Sequence, residues 1–148
     1  MRAGIKVCLG NYGFSNQMCE EWKTTYLVHK MWNHDPRRMS ATDVVQMAVY
    51  NNSLLAEQQF GVGPIGSLIP GAQADMIFVE YHPFTEVNAG NLPWQIIFGF
   101  HESMITTTIA GGKVLMRDRE LLTLDEEQIT SEARKLSGGT WQRFNSLF

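Results

Sequence analysis

Cysteine is scarce in this chain: Cys8 and Cys19 are the only two among 148 residues. One lies in an expected strand and the other in an expected helix, so they make neither a disulfide framework nor a metal-type spacing, and a reduced cytoplasmic setting is expected. No run approaches the roughly 20 apolar residues a membrane span needs. The opening "MRAGIKVCLGN" has too short an apolar run, and no small-residue cleavage site, to read as a signal peptide. Positive charge is not in excess either: 12 Lys and Arg stand against 15 Asp and Glu, for a net charge of −3. The basic residues are scattered rather than striped, so nucleic acid is not expected as a partner, and neither is a membrane. Internal repeats and low-complexity segments are missing as well. What remains, 44% hydrophobic and 18% charged, is the composition of an ordinary folded domain.

Residues 3–9, "AGIKVCL", alternate Ala3, Ile5, Val7 and Leu9 with Gly4, Lys6 and Cys8, the period of a strand. A strand there needs neighbours for its ladder groups, and the sequence that follows reads as helix, so missing chain is expected. Ser15 is the expected N-cap of a helix over about 16–33, with Glu20 and Glu21 near its positive end and Lys30 near its negative one. Pro36 stops it. Ser40 and Asp43 form an expected capping box with Met39 and Val44 as its hydrophobic staple, opening the next helix. "SLLAEQQF" is one more short helix, ended by Gly61. The glycine-rich "GVGPIGSLIPGAQAD" marks a boundary, with a turn at Pro70-Gly71. "MIFVEY" at 76–81 reads as a largely buried strand. "MITTTIA" and "KVLM" read as a hairpin about Gly111-Gly112, and Asp118-Arg119 as a second turn. "AGNLPWQIIFGF" is too short to assign as helix or strand. Thr123 and Glu126 suggest a capping box for an amphipathic helix to about Leu136, broken by Gly138-Gly139.

Taken in order, "LGNYGFSN", "GSLIPGAQADMIFVEYHP" and "TTTIAGGKVLMRD" resemble the C-terminal third of metal-dependent amidohydrolases of the deaminase and chlorohydrolase type. The stretches "EEWKTTYLVHKMWNHDPRRM" and "YHPFTEVNAGNLPWQIIFGFHESMITTTIAGGKVLMRDRELLTLDEE" most resemble the SsnA group of aminohydrolases. The resemblance covers essentially the whole chain. It implies an α/β fold: the last strand and helices of a (β/α)₈ TIM barrel over 1–60, strands and a connecting segment of a small composite β-sandwich domain over 61–124, and a C-terminal helical segment over 125–148. A complete barrel takes about 250 residues. The chain is therefore expected to be a fragment, lacking an N-terminal portion or working in an oligomer.

The resemblance also implies a divalent metal, Zn or Fe, and a small heterocyclic amine as substrate of the intact enzyme. Its ligands would be histidines from earlier strands and an Asp at the end of the last one. Such a set holds the ion with an open position and lowers the pKa of bound water toward about 7. The family reads Leu-Gly, then Thr or Asn, then Asp-Gly, so against Leu9, Gly10, Asn11 and Gly13 the catalytic Asp falls on Tyr12. A phenol offers one hydroxyl and a bulky ring where a carboxylate offers two acceptor oxygens. No catalytic role and no metal ligand is carried over to this chain, which alone is expected to be inactive. The alternative is a non-catalytic piece, either degenerate or a subunit that pairs with another polypeptide.

Asn11, Ser15 and Asn16 would border the mouth of an intact barrel; equally, Ser15 is only a cap and Asn16 only a first-turn residue. His101, with Glu102, would touch substrate there or make a local hydrogen bond. His29 is expected in the core, His34 in solvent, and His82 has no assigned role. Trp22, Tyr26 and Trp32 read as a packed helical stripe, and Cys8 as buried and inert.

Overall fold

The computed structural model describes residues 3–13 and 15–148. It is a mixed α/β arrangement, a helical layer followed by a four-stranded antiparallel sheet and a last helix.

The strand expected over 3–9 does not form. Residues 5–10 carry no ladder, because no described strand runs beside them. Part of a neighbour's work is done instead by two carboxamides. The Leu9 N–H donates to Asn52 Oδ1 at 3.1 Å, while Asn52 Nδ2 donates to the Leu9 carbonyl at 2.6 Å. Asn51 Nδ2 donates to the Val7 carbonyl at 2.7 Å. A side-chain amide has the same donor and acceptor as a peptide group, so Asn52 can stand in for one residue of a strand.

Helix α1 is Met18–Asn33, and Ser15 is not its cap. The Ser15 hydroxyl accepts from the Gln17 N–H at 2.9 Å, a local turn that leaves Gln17 at the cap position and Asn16 outside the helix. Lys30, in the last turn, donates from Nζ to the carbonyls of Pro36 and Arg38 at 2.7 and 2.6 Å, and lies 4.1 Å from the Tyr26 ring centroid. This folds the "HDPRR" turn back on the helix. Ser40 caps α2, Ala41–Val45, in the expected box with Asp43. A π-helical turn, Gln46–Asn51, runs on into α3, Asn52–Phe60, which Gly61 ends at a φ of 62°. The turn at Pro70-Gly71 is present, with Ala72 N–H bonded to the Ile69 carbonyl.

Beyond it lie β1 (Met76–Val79), α4 (Leu92–Gly99), β2 (Ile105–Ala110), β3 (Lys113–Arg117) and β4 (Glu120–Leu121), with sheet order β1-β2-β3-β4. Positive φ at Gly111, Gly112, Asp118 and Arg119 gives both hairpins the left-handed two-residue turns that match strand twist. The unassigned apolar segment is α4, started with Pro93 in its first turn and packed against α1 and α2. Strand β1 is less buried than its composition suggests: Ile77 and Phe78 are 53% and 52% exposed, since no described layer covers that sheet.

The core is small. Ala41, Val44 and Ile97 are buried together, with Leu9, Trp22, Tyr26 and Met39 packed around them. Tyr26 meets Phe98 edge to face at 5.4 Å. Trp32, at 84% exposure, and His29 lie outside this cluster, so the helical stripe packs only over its first two aromatics. His34 is exposed as expected, and Cys8 is only half-buried.

Helix α5 is Glu126–Asn145. Its cap is Asp125, whose carboxylate accepts from the Gln128 N–H, rather than Thr123. It also runs through Gly138-Gly139 without a break.

Candidate functional site

The loop that follows the extended segment is tied at two points. Asn11 Nδ2 donates to the Ser15 carbonyl at 3.0 Å, and Ser15 in turn receives the Gln17 N–H. Gly13, at a φ of 68°, supplies the left-handed residue the loop requires. These ties leave the Tyr12 side chain 99% exposed at the loop's tip, and Asn16 is exposed beside it.

His101 stands elsewhere in the sequence but close to the entry of α1. It leads into a 3₁₀ turn, Glu102–Met104, in which its carbonyl accepts from the Met104 N–H. Together with Gln17, Cys19, Lys23, Phe100 and Glu102 it lines a cavity of about 220 Å³. Burial, and then the Glu102 carboxylate, push the Cys19 thiol above its ordinary value. So two of the expected loop residues, Asn11 and Ser15, are joined by a hydrogen bond, and His101 is brought to the first turn of α1, but none of Asn11, Tyr12, Ser15 and Asn16 lines that cavity.

The donor set for a metal is incomplete. Among the described residues no three His, Cys, Asp or Glu side chains converge, and the position expected to supply a carboxylate carries a phenol. A catalytic ion needs three or more protein ligands, so these residues alone do not fit one.

A polar cluster at the sheet end was not foreseen. Arg119 Nη2 pairs with Glu80 Oε2 at 2.8 Å, Arg119 Nε donates to the Ser103 carbonyl at 2.9 Å, and His82 Nε2 lies 3.8 Å from Glu80 Oε1. Hydrogen bonding and charge from Arg119 hold the Glu80 carboxyl below its ordinary value. A lowered carboxylate favours the folded state above its ordinary titration range, and the contribution disappears as pH falls through the folded value. In an NMR titration the Glu80 side chain is expected to protonate later on acidification than a free glutamate, and Arg119→Gln to return it to the ordinary range. Identical titrations in the two proteins would show that the pair does not persist in solution.

No helix of the described chain is long and apolar enough to cross a membrane. Residues 2–115 match the Amidohydrolase family, and the chain belongs to it. It is 31% identical to a 5'-deoxyadenosine deaminase of Methanosarcina mazei across 99% of its own length and 34% of the relative's. It is also 31% identical to a 5-methylthioadenosine/S-adenosylhomocysteine deaminase of Pelotomaculum thermopropionicum, over 91% of this chain and 31% of that one. The chain thus spans about a third of the length of these relatives. Among solved structures, an adenosine deaminase from Xanthomonas campestris with bound zinc superposes with a TM-score of 0.73 at 24% identity, covering 90% of this chain and 31% of the other. A zinc complex of atrazine chlorohydrolase from Arthrobacter aurescens gives 0.70 at 20% identity, covering 91% and 30%. At those identities the likeness is one of fold: the helices and antiparallel sheet here correspond to about a third of an amidohydrolase structure.

Proposed function

We propose that this chain is the closing third of a metal-dependent aminohydrolase, nearest the SsnA group, whose intact form removes an amine from a heterocycle by hydrolysis. On this reading residues 1–60 supply the last strand and helices of a barrel, 61–124 strands of a composite β domain, and 125–148 a C-terminal helical segment. The metal ligands come from outside the chain. Asn11, Ser15, Asn16 and His101 border the mouth and meet substrate. Tyr12 takes the place of the family's catalytic Asp, so the chain has no hydrolytic activity by itself.

One observation carries the reading. Leu9 packs against the helical core, and the backbone groups of Val7 and Leu9 meet the side chains of Asn51 and Asn52 where a strand would meet its neighbours. That is how a barrel strand sits when its helix is present and its flanking strands are not. A second reading, a non-catalytic subunit that acts by pairing, is favoured by the Tyr12 ring standing free at 99% exposure.

Both readings require association, and that is the first test. The chain is produced together with the complementary two thirds of the Methanosarcina mazei deaminase, the portion it does not match. A one-to-one complex by light scattering is expected. Two polypeptides that elute apart under all conditions, with this chain unchanged in its amide exchange, would overturn the proposal.

A further inference from the structure

Among the described residues Glu21 is the only polar or charged one that is buried, at 9% exposure, and its carboxyl group is buried without a partner. Oε1 is fully covered and accepts no hydrogen bond. None of the ion pairs of the described chain includes it. The positive end of α1 favours a carboxylate in this first turn, but the Glu21 N–H is spent on the Gln17 carbonyl and supplies no donor. A buried acceptor left without a donor costs stability, so the group calls for one from outside the described chain.

Its surroundings say what carries that donor. Met18, Glu21, Thr25, Val28 and Trp32 recur at alternating three- and four-residue intervals and so form one line along α1. Trp22 and Tyr26, which pack on the core, lie to one side of that line, and Cys19, Glu20 and Lys23, on the wall of the His101 cavity, lie farther round the helix. Met18, Val28 and Trp32 are 37%, 51% and 84% exposed, while Gln17, Thr24 and Thr25, one turn from Glu21, are half-buried. A small soluble cation would satisfy Glu21 and leave these apolar side chains bare; a polypeptide covers both. We infer that this line of α1 docks on the two thirds of the enzyme that the chain does not span, and that the docked segment brings an arginine to Glu21 between apolar neighbours. Two parallel N–H groups of a guanidinium match the two oxygens of a carboxylate, which the single ammonium of a lysine does not. The inference rests on the proposed function and adds to it the chemistry of the joint.

The test measures, by titration calorimetry, the binding of the full chain to the complementary portion of the Methanosarcina mazei deaminase. Glu21→Gln keeps the shape and removes the charge. In this chain alone it is expected to leave the urea midpoint unchanged or raised, because no partner is lost, and in the complex to weaken association by about 30-fold or more, because the arginine is left unpaired. Glu20→Gln, exposed and one position along, should stay within about 3-fold of the parent. In the unsubstituted chain the carbon resonance of the Glu21 carboxyl should move when the complement is added. Glu21→Gln bound as tightly as the parent, an equal loss from Glu20→Gln, an unmoved resonance, or a urea midpoint that falls with Glu21→Gln would each overturn the pairing while leaving the barrel reading intact. A chain that never binds the complement would overturn both.

Discussion

Replacing Tyr12 by Asp in the complex with a relative's complementary two thirds is expected to raise its rate of hydrolytic deamination by about 10²- to 10⁴-fold, the range a positioned acid–base group supplies. The loop is already shaped for the exchange: Gly13 turns the chain, Asn11 clasps Ser15, and the Tyr12 side chain touches none of the core. The substitution is therefore not expected to disturb folding. Tyr12→Asn, equal in shape to the aspartate but without its charge, is the control and should gain nothing. Zinc retained after gel filtration should rise with Tyr12→Asp only. Equal rates for the Asp and Asn variants would show that position 12 does not hold the carboxylate the family reading requires.

Ile97→Ala is expected to lower stability by about 2–5 kcal/mol, the usual cost of emptying a core isoleucine site. Ile97 and Val44 are the largest fully buried side chains, and Ile97 is the only residue of α4 that is buried. Only Ala41, Val44, Met47 and Ile97 are buried apolar residues among those described, so little else can absorb the loss. A urea transition followed at 222 nm should move to much lower denaturant. Phe60→Ala, at a side chain 78% exposed, should change stability by about 0.5 kcal/mol or less. Equal shifts from the two variants would mean that the α1–α2–α4 cluster is not what holds the helical layer.

Features set by a few adjacent residues were legible in the sequence. The Ser40–Asp43 box, the Gly61 stop, the Pro70-Gly71 turn and both two-residue hairpin turns carry their instructions locally, and each is present. Features that depend on distant chain were not. The alternation over 3–9 is that of a strand, but a strand is a pairing, and the groups that meet Val7 and Leu9 are asparagine side chains from 44 and 43 residues away. His29 has the spacing of a packed residue but is exposed, on the wall of a cavity it shares with Val7, Met39 and Met47. Ser15 and Thr123 are sound caps by type, but each lost that position to a residue nearer its helix. The site follows the same rule. Asn11 and Ser15 lie within one loop and could be grouped from sequence, whereas the approach of His101 to Gln17 and the Glu80–Arg119 pair, 39 residues apart, leave no spacing to read.

Gly138 and Gly139 were expected to break α5, and the expectation has a sound basis: each costs about 1 kcal/mol relative to alanine in a helix interior. A helix of this length that buries nothing is marginal in water even without them. Cover over Ile129, Leu136 and Phe144, all exposed, would supply the stabilisation the helix lacks alone, so its ordering and its docking are linked. The glycine pair therefore ties the order of the C-terminal segment to contact with another surface.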